Sequence, residues 1–204
     1  MKKSALEIFN DNALKYQHKF MYLDLYDDSY DAFLSNLKPN AHVLEVGCGP
    51  GNITRYLLEK RPDLNLLATD FAPNMIELAQ ANNPKATCRL LDARRILDLN
   101  DRYDAIVCGF VAPYFSSEEL ETFIQNVSKI SNNDGSLYLS VIEGEYSQSG
   151  WQHSSDGKSS TMVYLYSEAD LEKMLSRNGF ETKHVFRKAY AESTHLIFVA
   201  AISR

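Results

Sequence analysis

Apolar positions along this chain switch between two periods, and each switch marks an element. Val43, Leu44 and Val46 form a short apolar run that meets three glycines at alternate positions, Gly47, Gly49 and Gly51. Ile53, Tyr56 and Leu57 then fall at helical spacing, so the stretch reads strand, tight glycine loop, and a helix over 52–60. Arg61-Pro62-Asp63 stops that helix, and residues 64–69 predict a second strand closed by Asp70. Pro73 suits the first turn of the next helix, which carries Met75, Ile76, Leu78 and Ala79. Residues 86–91 form a weaker strand ending at Asp92, and 103–108 a firm buried strand ending in Gly109-Phe110. Ser116 and Glu119 make a capping box ahead of Leu120, Phe123, Ile124, Val127 and Ile130. Residues 132–135 (NNDG) read as a turn and 137–142 as a strand. Ser167 and Asp170 open a last helix, which Gly179 closes, and two strands follow at about 181–188 and 194–202.

Two segments stand apart from this alternation. Residues 4–37 predict one or two helices, with Leu23, Tyr26, Tyr30, Phe33, Leu34 and Leu37 on one face and Asp24, Asp27, Asp28 and Asp31 on a solvated one. Residues 143–160 are polar and rich in Ser and Gly, a loop long enough to be functional or mobile. The repeated strand–helix order argues for an α/β fold with a doubly wound, mostly parallel sheet. Only a short turn at 190–193 separates the last two strands, so one of them is expected to be antiparallel.

Composition narrows the function classes. The 204 residues suit one domain, 1–204, with a sizeable core. Net charge is −6 and no Lys/Arg block is present, which argues against strong phosphate-backbone binding and hence against nucleic acid. No apolar run reaches the roughly 18–20 residues needed to span a bilayer. The two lysines at the amino terminus precede no apolar signal segment. Cys48, Cys88 and Cys108 are too far apart for a zinc site or a disulfide framework, so a reducing cytoplasm and no metal are expected.

Taken together, four motifs resemble the class I methyltransferases that use S-adenosylmethionine. They are LEVGCGPG at 44–51, TDFAPNMIELA at 69–79, LLDA at 90–93 and YDAIVCGFVAPYF at 103–115. The resemblance covers about 40–204 and implies a seven-stranded sheet of order 3-2-1-4-5-7-6, strand 7 antiparallel, with helices on both faces. It implies an N-terminal helical lid at 1–38 and an insertion at 143–164 over the acceptor pocket. Gly47, Cys48, Gly49 and Gly51 would then seat the methionine end of the cofactor, with Glu45 organising the loop and the ammonium end. Asp70 would hold the ribose diol, for which a carboxylate has the acceptors. Phe71 and Met75 would pack near the adenine, and Asp92 with Ala93 would meet its edge, although Asp92 also suits the cap of a short helix at 93–97. Gly109 and Phe110 would stand beside the sulfonium. Tyr16 or Lys19 could reach the cofactor carboxylate.

Dehydrogenases share a glycine loop after strand one, but their G-x-G-x-x-G would put a glycine at Asn52, and this chain has Gly51 instead. Methyltransferases acting on base amines resemble one another in an Asp/Asn-Pro-Pro-Tyr segment, where this chain has Val111-Ala112-Pro113-Tyr114. A small-molecule acceptor is therefore expected, with no nucleic-acid or membrane partner, in a monomer or homodimer. Tyr114 and His153 are the candidates for acid–base work at the acceptor, with Tyr146, Trp151 and His18 as further pocket candidates. A regulatory module that binds cofactor without turnover and a protein methyltransferase stay open as alternatives.

Overall fold

The computed structural model describes residues 4–153 and 160–203. Seven helices and ten strands are assigned among them. The first half runs α1 (Ala5–Asp11), α2 (Ala13–Phe20), α3 (Asp27–Leu34), β1 (His42–Val46), α4 (Asn52–Lys60), β2 (Asn65–Asp70), α5 (Pro73–Asn82), β3 (Thr87–Leu90) and β4 (Tyr103–Cys108). It continues with α6 (Ser117–Ile130), β5 (Ser131–Glu143), β6 (Gly150–His153), β7 (Ser160–Val163), β8 (Leu165–Tyr166), α7 (Glu168–Arg177), β9 (Phe180–Tyr190) and β10 (Ser193–Ile202).

The main sheet runs β3-β2-β1-β4-β5-β10-β9. β10 is antiparallel to both of its neighbours, and the other strands of that path run parallel. This is the expected seven-strand order. The sheet gains one strand that was not foreseen: β8 pairs in parallel with the end of β5, through Ile142–Leu165 and Glu143–Tyr166.

Strand alternation sorts the core into two layers. Leu44 and Val46 of β1, with Ile106 and Cys108 of β4, pack against α6 and α7. Val43, Ala105 and Val107 face the other way, onto Tyr30 and Phe33 of α3 and Ile53 and Leu57 of α4. The central strands are thus covered on both faces, which is why they read as mainly apolar runs, with Glu45 the exception inside β1.

Three expectations need correction. The amino-terminal segment forms three short helices rather than one or two, with Asn12 both closing α1 and preceding α2. The turn at 132–135 lies inside β5. Tyr103 pairs with Ser131 and Ala105 with Ser136, so the four polar residues bulge out of the ladder. The 143–160 segment is not a plain loop: Gly150–His153 and Ser160–Val163 form an antiparallel pair. Alternating polar and apolar residues there are too few to outweigh the Ser/Gly composition in a sequence reading.

Candidate functional site

At the carboxyl ends of β1 to β4 the chain encloses a cavity of about 700 Å³, part of it open to solvent. Every parallel strand on this side contributes. Gly47 and Gly49 come from the loop after β1, Asp70 and Phe71 from the end of β2, and Met75 from α5. Asp92, Ala93 and Arg94 follow β3; Gly109, Phe110, Val111 and Tyr114 follow β4. Ala5, Phe9 and Tyr16 of α1 and α2 complete the wall.

The glycine loop is shaped by backbone. Gly47 has φ +69°, and a Cβ there would lie 2.0 Å from Val111 Cγ2. No L side chain fits that space without moving the wall after β4. Gly51 has a different reason for being glycine. At φ +85°, its Cβ would lie 2.2 Å from Asn83 Nδ2 and 3.2 Å from the Ala79 Cα of α5. It caps α4 and lets α4 and α5 approach, and it is not on the cavity wall.

Asp70 is buried and oriented by the loop it faces. Its Oδ2 accepts the Gly49 N–H at 2.9 Å and its Oδ1 the Ala72 N–H at 2.9 Å. Burial raises its pKa, and these backbone bonds oppose the rise. A carboxylate has about four acceptor directions, so about two remain for a ligand. Phe71 and Met75 form an apolar wall next to it, continued by Phe9, whose ring centroid is 6.2 Å from that of Phe71.

Asp92 has two roles in this geometry. Its Oδ1 accepts the Arg94 N–H at 2.9 Å and so caps the short 3₁₀ segment Ala93–Leu99. It also lines the cavity, as do Ala93 and Arg94, whose guanidinium donates to Glu119 at 2.9 Å.

Glu45 and Cys48 are close by but not on the wall. Glu45 is fully buried beneath the loop, where Thr54 Oγ1 donates to its Oε2 at 2.5 Å and Oε1 has no partner. Burial pushes its pKa up to about 8. The Cys48 side chain turns into the core layer of α3 and α4, and burial raises its thiol well above the usual range. Only the backbone on either side of it meets the cavity.

The acceptor-side expectations divide. Tyr114 lines the cavity, with Phe9 set edge-on at 5.1 Å. Burial pushes its phenol up to about 12, so near neutral pH it is a hydroxyl, not a phenolate. The His153 side chain lies outside the described residues. The described part of 143–164 contributes nothing to the cavity wall. It braces the Tyr114 segment from behind: the Tyr164 N–H donates to the Pro113 carbonyl at 2.8 Å, and the Tyr146 hydroxyl accepts the Ser117 N–H at 3.2 Å. Trp151 is exposed.

Phe9, Ala5 and Arg94 escaped the sequence reading. One signal was available for α1: Ser4 and Glu7 close a capping box, with Phe9 two residues further on. No comparable pattern marks Arg94, which reaches the wall only because the 3₁₀ turn aims it there.

Among the described residues no helix is long and apolar enough to cross a membrane, and no group of three side chains could hold a metal ion. A family model described as a methyltransferase domain matches residues 43–135. The malonyl-[acyl-carrier protein] O-methyltransferase of Acetivibrio thermocellus is 31% identical over 107 residues, which are 52% of this chain and 37% of that one. The tRNA N(3)-methylcytidine methyltransferase of Schizosaccharomyces pombe is 23% identical, over 88% of this chain and 79% of its own. The matches to the malonyl-[acyl-carrier protein] relatives span about half of their length or less. The magnesium protoporphyrin IX methyltransferase of Synechocystis PCC 6803, solved with bound S-adenosylhomocysteine, superposes with a TM-score of 0.74 at 19% identity, over 97% of this chain and 98% of that one.

Proposed function

We propose that the chain is a class I, S-adenosylmethionine-dependent methyltransferase that transfers a methyl group to a small-molecule acceptor, a reading supported by the match of residues 43–135 to a methyltransferase-domain model. One observation carries the reading: a single cavity gathers the glycine turn, the half-satisfied carboxylate of Asp70 and an apolar slot in front of Gly109 and Phe110. S-adenosylmethionine, when bound, supplies an activated methyl group on a sulfonium.

The residues present fit that cofactor. The remaining acceptor directions on Asp70 suit a pair of ribose hydroxyls. Phe71 and Met75 offer an apolar surface to a purine. Gly47 and Gly49 bring backbone with no Cβ of its own to the cavity wall. What the chain adds to an activated methyl is mainly alignment, because displacement at carbon needs nucleophile and leaving group in line. Phe9, Tyr16 and Tyr114 line the cavity and give it an aromatic wall.

The acceptor class follows from the wall and the charge. Tyr114 and Tyr16 carry hydroxyls on a lining that is mainly aromatic and aliphatic, and among the described residues Arg94 is its one cation, already shared with Asp92 and Glu119. A net charge of −6 disfavours a polyanion. We take the 1–38 helices as the lid and the 143–164 segment as a brace for the Tyr114 wall. Tyr114 donates a hydrogen bond to the acceptor in this reading and does not remove its proton. The test is transfer of label from S-adenosyl-[methyl-³H]methionine into three pools: small metabolites, bulk tRNA and denatured protein. Label confined to the small-molecule pool is the expected result. Label in tRNA or protein alone overturns the acceptor class, and binding without label in any pool favours a regulatory module.

A further inference from the structure

Phe110 has φ +61°, the left-handed region, which a bulky residue occupies only where its surroundings hold it. Three contacts do so. Its N–H donates to Ser140 Oγ at 2.7 Å, and its ring packs against Tyr26 at 5.0 Å and His195 at 4.8 Å. Tyr26 and His195 are both buried and bonded to each other, hydroxyl to Nδ1, at 2.7 Å. His195 Nε2 lies 3.3 Å from Ser193 Oγ. The antiparallel course of β10 sets its first residues beside the end of β5, where His195 pairs with Ile142. The imidazole therefore sits on the cavity side of the sheet, directly behind Phe110. Tyr190 stacks on its other side at 5.4 Å and carries Phe20 and Lys19 of the lid.

We propose that Tyr26 and His195 are a positioning pair for the methyl-donating end of the cavity. With His195 neutral they hold Phe110 in place, and protonation of His195 selectively weakens a ligand that carries positive charge beside Phe110. The inference rests on the methyltransferase reading, in which the sulfonium lies next to Phe110. Burial lowers the His195 pKa from its ordinary 6.5, so the pair is neutral near pH 7. Tyr26 and Tyr190 contact the ring, Lys188 is the register partner of His195 on β9, and Asp28, Lys19 and Glu143 lie one step further out, beside Lys188, Tyr190 and Ile142. Lys188 is paired with Asp28 at 2.6 Å and Arg187 with Glu143 at 2.9 Å. His195 is the one imidazole among them.

S-adenosylmethionine and S-adenosylhomocysteine differ by one methyl group and one positive charge, so their affinity ratio isolates that charge. Calorimetry at pH 7, 6 and 5 on the wild type and on His195→Asn reads it. In the wild type the homocysteine form should gain on the sulfonium by about tenfold between pH 7 and pH 5. The asparagine amide can still bond Tyr26 but cannot take up the proton. That variant should bind both ligands within about threefold of wild type at pH 7 and lose most of the tenfold change in ratio. Titration of Glu45 and Asp70 is common to both proteins and cancels in the comparison. A flat wild-type ratio, or an equal slope in His195→Asn, overturns the proposal. If His195→Asn does not fold, Tyr26→Phe serves. Losing the hydroxyl that supports the neutral ring should move the midpoint of the ratio to higher pH, and an unmoved midpoint overturns the proposal. Failure of both ligands to bind wild type at pH 7 would instead remove the methyltransferase reading itself.

Discussion

Replacing Glu45 with glutamine should make the protein more stable as pH rises. Glu45 sits on β1 with Ala68 and Val107 as its strand neighbours, completely shielded from solvent. One oxygen accepts from Thr54 and the other has no partner. Desolvation outweighs the Thr54 bond and raises the pKa to about 8, with the nearby Asp70 adding to the rise. The unfolded chain has its carboxyl near the ordinary 4.5. The folded state therefore binds the proton more tightly. Its contribution is fully present below about 4.5 and is lost as pH rises through about 8. At about 1.4 kcal/mol per pH unit the whole loss is about 5 kcal/mol, a large part of an ordinary domain's stability. Glutamine keeps an acceptor for Thr54 and cannot ionise. Its amide leaves a buried donor unmet, but that cost is the same at every pH. Urea unfolding at pH 5, 7 and 9, with equal m-values, measures the difference. Relative to its value at pH 5, the variant should gain about 2.5 kcal/mol at pH 7 and about 4 kcal/mol at pH 9. A difference that does not grow with pH would refute the buried, protonated carboxyl.

Other positions give independent checks. Asp70→Ala should weaken S-adenosylhomocysteine binding by about 1–3 kcal/mol in calorimetry, and unchanged affinity would remove the ribose contact. Gly51→Ala, forced against Asn83 and Ala79 at a positive φ, should cost about 1–3 kcal/mol in urea unfolding; a neutral result would mean α4 and α5 can separate freely. Ser116→Ala removes the side-chain half of the α6 capping box, the Oγ that accepts the Glu119 N–H, and should cost about 1 kcal/mol by the same measurement.

The sheet was legible because its signals are local. Val43, Leu44 and Val46, and Ala105 to Cys108, put apolar side chains on both faces, and each run stops at a glycine. That pattern alone fixes where strands end, and so where a ligand edge forms. Asp70, Phe71, Met75, Asp92, Gly109 and Phe110 reach one cavity because each lies at such an end or just beyond it. Gly51 and Cys48 show the limit of this reasoning. They share the loop motif, but one packs two helices and the other turns into the core, and spacing does not say which way a side chain points. The Tyr26–His195 pair was invisible for another reason: its members are 169 residues apart, and only the antiparallel return of β10 brings them together. The contacts of the 143–164 segment with Pro113 and Ser117 were not legible because they are tertiary, and composition reports only that the segment is polar.

Ligand-dependent unfolding tests the central claim most directly. Thermal melts with S-adenosylhomocysteine, and in parallel with NAD, compare the two cofactors that a glycine loop after the first strand could hold. At 100 times its dissociation constant a ligand bound only to the folded state adds about 2.7 kcal/mol, a shift of several degrees for a domain of this size. The account predicts that rise with S-adenosylhomocysteine, its loss in Asp70→Ala, and no shift with NAD. A shift with NAD, or none with S-adenosylhomocysteine at millimolar concentration, would contradict it.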